Sequence, residues 1–372
     1  MKLVHISDSH IGYSAFSKVD EATGLNLREV DFYEAFRRQI DRCLEIRPRV
    51  VLHSGDVFDS VRPTNRAISF ALEQFLRLNE AGIDTVIISG NHSSPKLRET
   101  GSVFKIFEHL EHVHPVYKES YEIVDLGDLA VHALPHAEGE HLQKEAARMS
   151  PLQGKYNVAM MHVGISSLNV FRMNEFNEQI LPASYLKPEF DYIALGHYHD
   201  FSQVTRNAYY AGSGERLSFA EAGSDKGLLE VELSPLKVRF RKMPTRPMVD
   251  LEPIDAKHMD LAQLRKELMR VLEAHELEGK IVRLRMTNLS QECYSSLDFH
   301  WLRQLAARAA HFEIKAELLP REAGAVAAYT GFASLDREWI AFLESYPLEK
   351  VDKSKVRAKG LEYLAKGVEE SD

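Results

Sequence analysis

Three short apolar runs, Leu3 to Ile6, Val50 to Leu52 and Thr85 to Ile88, read as buried strands. Between them the apolar positions change period. Phe32, Phe36, Ile40 and Leu44 recur every fourth residue, as on one face of a helix. Thr64 can cap a second helix with Ile68, Leu72, Phe75 and Leu76 inward, and Gly82 ends it. The β-α-β-α-β order predicts parallel strands with right-handed crossovers, so that the loops following the strands share one sheet edge. Beyond about residue 120 strand-like runs follow one another at Ala130 to Leu134, Val158 to Met161, Tyr192 to Leu195, Ala208 to Ala211, Leu228 to Leu233 and Val238 to Phe240. With few helices between the later ones, a second sheet packed on the first with helices outside is expected, an α/β sandwich.

After Lys242 to Pro247, which reads as a linker, the pattern predicts a small α+β module. It comprises strands at Val249 to Leu251, Val282 to Met286 and Phe312 to Ala316, a helix with Leu261, Leu264, Leu268 and Leu272 inward, and a helix over Trp301 to Ala310. Gly324 to Gly331 reads as a second linker. Leu335, Trp339, Phe342 and Tyr346 then share one helix face, and Leu361, Leu364 and Val368 another.

Composition narrows the class. The chain has 372 residues, 44% hydrophobic and 27% charged, which excludes wholesale disorder. The net charge of -9 argues against a protein that coats nucleic acid by bulk charge, though not against a local basic track. Two cysteines, Cys43 and Cys293, cannot form a disulfide framework and suggest a reduced, cytoplasmic compartment. No stretch reads as a signal peptide or approaches the ~18 apolar residues of a membrane span.

The chemistry gathers in five polar clusters just after predicted strands: Asp8-Ser9-His10, Gly55-Asp56, Gly90-Asn91-His92, His162, and Gly196-His197-Tyr198-His199. Taken singly each has an ordinary explanation, since Gly-Asp after a strand is usually a turn and Gly-Asn-His a loop. Taken together they put carboxylates, imidazoles and an amide at one sheet edge, where α/β folds place their sites. Such mixed ligands suit Mn²⁺, Fe²⁺, Mg²⁺ or Zn²⁺ bound for catalysis rather than a structural zinc, which would favour thiolates. Seven candidate ligands are too many for one ion. They suit two ions about 3.5–4 Å apart sharing a carboxylate, the arrangement that hydrolyses phosphate esters.

This set resembles the calcineurin-like metallophosphoesterase superfamily. Within it, His5-Ile6-Ser7-Asp8-Ser9-His10-Ile11-Gly12, Tyr210-Ala211-Gly212-Ser213-Gly214-Glu215-Arg216-Leu217-Ser218-Phe219 and Asp225-Lys226-Gly227 resemble the SbcD and meiotic-recombination-eleven DNA repair nucleases. The resemblance covers the chain to about residue 240. It implies a two-sheet metallophosphoesterase (nuclease) domain over 1–243, a DNA-capping α+β domain over 244–325, and a linker with C-terminal helices over 326–372 that bind an SbcC-type coiled-coil ATPase. It further implies that Asp8, His10 and His199 hold one ion and Asn91, His162 and His197 the second, with Asp56 bridging. His92 would stabilise the phosphate or protonate the leaving oxygen, and Mn²⁺ would be the favoured metal. Relatives usually continue Gly-Asn-His with Asp, where this chain has Ser93; if that carboxylate orients the imidazole, His92 is less well held here.

The expected activity is a 3′-to-5′ exonuclease and single-strand endonuclease acting on duplex ends and single strands in double-strand break repair. The expected setting is the cytoplasm, at the nucleoid, and the expected state is a homodimer paired through helices near the site. Lys96, Arg98, Arg62 and Arg66, close to the site loops, are the candidate DNA contacts. Lys237, Arg239 and Arg241 alternate along a strand, with Lys242 and Arg246 nearby, and Arg283 and Arg285 alternate similarly; for any single one of them a solvated strand face or helix surface is the favoured reading. A small-molecule phosphodiesterase of the same superfamily and a non-catalytic DNA-end scaffold are the other readings.

Overall fold

A computed structural model describes residues 1–93, 101–166, 178–319, 339–340, 342–343 and 352–369. The first three predicted strands form β1 (Lys2–Ile6), β2 (Val50–His53) and β3 (Asp84–Ile88), joined by α1 (Leu27–Ile46) and α2 (Asn65–Glu80). They pair in parallel, with Leu3 opposite Val50 and Val50 opposite Asp84, and β4 (Val113–Val116) extends the sheet. Asn26 caps α1 by accepting from the amides of Arg28 and Glu29, and Thr64 caps α2 through the amide of Ala67. Arg47 and Gly82 adopt left-handed backbone just past the two helices, where the chain turns back toward the sheet. The inward stripe of α2 is Ala67, Phe70, Ala71, Phe75 and Leu78. Leu76, expected inside, is 38% exposed because it lies about 100° around the helix from Phe75.

The second sheet contains β5 (Glu122–Asp125), β6 (Leu129–Leu134), β7 (Tyr156–His162), β10 (Tyr192–Gly196), β11 (Ser202–Gln203) and β12 (Ala208–Tyr210), with α3 (Gly139–Arg148) between β6 and β7. The short pair β8 (Gly164–Ile165) and β9 (Ile180–Leu181) lies outside it. Strands β6, β7, β10 and β12 are parallel. The last two of the six later runs, β13 (Gly227–Leu233) and β14 (Leu236–Lys242), do not join this sheet. They return to the first, with β13 antiparallel to β1. Their alternating burial explains the choice: Leu229, Val231 and Leu233 fill the layer between the sheets while Glu230 and Glu232 point away. That layer holds Leu3, Leu52, Val86 and Ile88 against Val131, Val158, Met160 and Ala194, and helices cover both outer faces.

The small module has β17 (Ile281–Leu289) at its centre, parallel to β15 (Met248–Asp250), β16 (Ile254–Asp255) and β18 (His311–Leu318). Leu264, Leu268 and Leu272 of α4 (Leu261–Glu273) are buried against it. Of the two further helices, α5 (Gln291–Ser296) and α6 (Phe299–Leu305), the second ends sooner than its apolar spacing suggests, at a turn beginning with Ala306. The chain divides into two compact units, Met1–Leu318 and Leu319–Asp372. In the second, a helix runs over Lys353–Glu369, longer than the predicted Leu361 to Val368, and the ring of Trp339 lies where a Cβ on Gly360 would stand. Most of the helix expected around Leu335 to Tyr346 falls outside the described residues. No described helix is long and apolar enough to cross a membrane.

Buried polar side chains lie at the carboxyl ends of β1 and β2. His5 Nδ1 shares a hydrogen bond with the Tyr192 hydroxyl (2.9 Å), and His53 Nε2 shares one with Ser9 Oγ (2.8 Å). Burial, seconded for His5 by the charge of His53, pushes each imidazole down to about 3. Unfolding frees both rings to take up protons below their ordinary value, so their contribution is present above pH ~6.5 and is lost as pH falls toward 3. Urea unfolding of the metal-free protein is expected to show a loss of about 2 kcal/mol per histidine between pH 6.5 and 5, with a shallower slope in His53→Asn.

Candidate metal centre

Each of the five clusters sits at the carboxyl end of a parallel strand: β1, β2 and β3 in one sheet, β7 and β10 in the other. The loops close on one another, within the first sheet and between the two sheets, where side chains are missing. A Cβ on Gly196 would lie 1.9 Å from the Ser54 carbonyl oxygen, one on Gly55 2.1 Å from His162 Nδ1, and one on Gly90 2.2 Å from Asp56 Oδ1. Only glycine allows these approaches. Across the gap His162 Nδ1 donates to the Ser54 carbonyl at 2.8 Å, which aims its Nε2 at Asn91 Oδ1 (2.9 Å) and Asp56 Oδ2 (3.1 Å).

Asp8, His10, Asp56 and His197 all have positive φ, of 50°, 41°, 51° and 103°. Non-glycine residues there cost on the order of 1–3 kcal/mol each and persist only when their surroundings hold them. Here Asp8 N donates to the Gly55 carbonyl (3.0 Å), His10 N to that of Asp56 (3.0 Å) and His197 N to the Asp8 carboxylate (3.1 and 3.2 Å). The clusters therefore hold one another in the strained backbone that turns their side chains inward.

Donor atoms of Asp8, His10 and His199 lie within 4.8 Å of one another, as do those of Asp8, Asp56 and His162. Asn91 Oδ1 also meets His197 Nδ1 at 3.3 Å. Seven side chains picked out along the chain thus converge, with Asp8 common to the two groups. A divalent cation fits this donor set. His10 makes the point most directly, for its Nδ1 is held by Asp59 Oδ1 (3.2 Å) while its buried Nε2 has no hydrogen-bond partner among the described residues. Burial opposes ionisation of both Asp56 and His162, but their mutual contact outweighs it, holding the Asp56 carboxyl well below the carboxylate range and lifting His162 to about 9. Burial, and after it the charge of His162, pulls His197 well below its ordinary value.

His92 stands beside this group, its ring 4.8 Å from that of His10. Its amide donates to Asp56 Oδ1 (3.0 Å) and its Nδ1 donates to the Asp59 carbonyl (2.9 Å). The loss of a carboxylate at Ser93 therefore does not leave the ring unheld, because a main-chain oxygen fixes it. Asp59, His10 and His92 form a third cluster within 4.8 Å.

Of the candidate DNA contacts, Lys96 and Arg98 lie outside the described residues. Arg66 is exposed and paired with Glu29 at 3.2 Å, while Arg62 is exposed on the loop before α2. The alternating basic strands are neutralised: Arg241 by Glu230 (2.7 Å), Arg239 by Glu232 (3.5 Å), Arg246 by Asp31 (2.7 Å) and Arg283 by Asp250 (2.7 Å). Sequence reasoning missed Asp59, whose signal is a second carboxylate three residues after Asp56 in one post-strand loop. It also missed His136, which follows β6 as the other clusters follow their strands. His136 is buried and pulled down to about 4, chiefly by burial and then by the charge of His162. Glu221 was missed too. It lies 3.2 Å from His199 Nδ1 and is held at about 2 because His199 and Lys226 outweigh the effect of burial.

Residues 1–201 match the family model of the calcineurin-like phosphoesterases. The chain is 30% identical over 315 residues to the DNA double-strand break repair protein Mre11 of Thermoplasma acidophilum, a match covering 80% of this chain and 76% of that protein. Identity to the Mre11 of Methanococcus maripaludis is 29% over 59% of each chain. With that of Methanocaldococcus jannaschii it is 31% over 54% of this chain and 51% of the other, so the chain spans little more than half the length of these two relatives.

The glycine contacts carry a prediction. In Gly90→Ala the new methyl group must displace Asp56, at a cost of about 1–3 kcal/mol. Thermal denaturation is expected to show the lower stability and calorimetry a weakened uptake of divalent cations, whereas Gly127→Ala, at an open turn with no atom near its Cβ, keeps full cation uptake.

Proposed function

Because this chain belongs to the calcineurin-like phosphoesterases, and among them to the family of the DNA double-strand break repair protein Mre11, we propose that it is a metal-dependent nuclease that hydrolyses DNA phosphodiesters at broken ends. The observation that carries this reading is the convergence of Asp8, His10 and His199, and of Asp8, Asp56 and His162, beside an oriented His92.

Asp8, His10 and His199 would hold one cation and Asn91, His162 and His197 the other, with Asp56 shared. Divalent cations held there would supply a water of lowered pKa and offset the charge of the phosphate. The chain's own residues do the rest. His92 donates a hydrogen bond from Nδ1–H to the Asp59 carbonyl. The ring is thereby held so that Nε2, when protonated, serves the leaving 3′ oxygen as a general acid. The hydrogen bond from its amide to Asp56 ties that acid to the ligand shell. Ser7 Oγ donates to Asp8 and fixes the carboxylate from below.

We assign 3′-to-5′ exonuclease and single-strand endonuclease activity, Mn²⁺ as the preferred ion, and a homodimer working at the nucleoid. Residues 1–243 would form the nuclease domain and 244–325 the DNA-capping domain, and 326–372 would bind an SbcC-type coiled-coil ATPase. Arg62, Arg66, Lys96 and Arg98 would meet backbone phosphates, so affinity falls with salt.

The test incubates the protein, alone and with its cognate ATPase, with Mn²⁺ and end-labelled DNA beside a small phosphodiester reporter. DNA cleavage is expected, lost on chelation and in Asp56→Ala, and reduced about 10²- to 10⁴-fold in His92→Ala. Reporter turnover without DNA cleavage would make it a small-molecule phosphodiesterase. Deletion of residues 330–372 should abolish co-purification with the ATPase.

A further inference from the structure

The sequence motif running from Gly212 to Lys226 supplies no atom to the chemistry described above, yet it is folded tightly around one candidate ligand. Gly212 has a φ of +78°, and a Cβ there would stand 2.7 Å from the His199 carbonyl oxygen. Ser213 N donates to that same carbonyl at 2.9 Å, and the Lys226 ammonium donates to it at 2.7 Å. Lys226 also reaches Glu221 Oε2 at 2.5 Å and Asp200 Oδ1 at 3.3 Å. Glu221 closes the ring, with Oε1 3.2 Å from His199 Nδ1 and 3.3 Å from the Leu217 amide. Main chain and imidazole of His199 are thus gripped by the same Lys–Glu pair.

The pair is dry: Lys226 is 1% exposed and Glu221 2%. Taking both charges out of water costs several kcal/mol per ion, and an apolar pair of similar volume would usually hold the fold as well. Stability alone does not explain it. A carboxylate on one nitrogen of a ligating imidazole does explain it, because it fixes the tautomer and aims the other nitrogen. His10 repeats the pattern through Asp59 on the other side of the cluster, although Asp59 is partly exposed and its hold is screened by solvent.

We propose that Glu221 is the positioning residue of His199, keeping the proton on Nδ1 so that Nε2 is presented to the Asp8 and His10 donors, and that Lys226 is the clamp that keeps Glu221 in place. The role rests on the two-metal reading above. A purely architectural alternative exists, since the Glu221 carbonyl also accepts from Arg216 Nε (3.2 Å), and Arg216 continues to Thr245 (2.6 Å) and the Arg246 carbonyl (3.2 Å) at the entry to the small module. The Glu221 carbonyl serves that link, but its side chain also accepts from the Leu217 amide and Ser213 Oγ, so the position of the His199 proton in wild type, which no substitution disturbs, is the readout that separates the two roles.

The test compares wild type, Glu221→Gln and Glu230→Gln as full chains. Glu230, on β13, is a control whose carboxylate pairs with Arg42 of α1 and Arg241 of β14, away from the site. Mn²⁺ binding is followed by calorimetry. Wild type and Glu230→Gln should take up two ions alike, and Glu221→Gln should lose about 10- to 100-fold in affinity for one ion while keeping the other. In metal-free wild type, ¹⁵N spectra should find the His199 proton on Nδ1, a readout that does not depend on the variant folding. Two ions bound equally well by Glu221→Gln, or a His199 proton on Nε2, would overturn the positioning role and leave the two-metal reading standing. A wild type that binds no Mn²⁺ overturns both.

Discussion

The contact on which the rest depends is the meeting of two sheet edges at Ser54. Gly196 has no side chain, so β10 comes against the Ser54 carbonyl, and that carbonyl accepts a hydrogen bond from Nδ1 of His162 on β7. Three loops of one sheet and two of the other are thereby brought close enough for their polar side chains to share a few ångströms. A methyl group at Gly55, Gly90 or Gly196 would fall far inside van der Waals contact with another atom, so the cluster tolerates no slack. The apolar layer between the sheets supplies the driving force for the approach, at roughly 25 cal/mol per Å² of apolar surface buried.

Concentrating so much polarity in a dry place is costly, and the structure meets the cost with pairing. The buried imidazoles beneath the edge stay neutral and share hydrogen bonds with Ser9, Tyr192 and Ser54. Closer in, the unfavourable φ angles of Asp8, His10, Asp56 and His197 are held by amides and carbonyls of neighbouring clusters. Each loop needs the others to keep its shape. This mutual dependence also explains why an uncommon Ser93 does no visible harm to His92: its orientation comes from the Asp59 main chain and not from the following side chain.

The acidic balance of the chain takes on a definite meaning. Asp8 and Asp56 belong to the groups that could hold a cation, whose charge would invert their local effect. Elsewhere carboxylates neutralise the basic strands, as Glu230 does for Arg42 and Arg241 and Asp31 for Arg246. Arginines counted along a strand thus overstate the field available to a polyanion.

Much was legible in the chain itself. The periods of β1 to β3 and of α1 and α2, and the cap at Thr64, follow from residues local to each element, and the five post-strand clusters name the converging side chains because parallel strands send their following loops to one edge. What only the tertiary structure decided is whatever depends on partners distant in sequence. Alternation alone could not say that β13 would pair with β1, 225 or so residues earlier, rather than extend the second sheet. It could not say that Leu76 would fall off the buried face, that Asp59 would hold His10, or that Glu221 and Lys226 would close on His199. The sequence by itself determined which chemistry is present and at which strand ends. The tertiary structure decided which atoms face one another, because hydrogen bonds and charge pairs act over a few ångströms of space and take no account of distance along the chain.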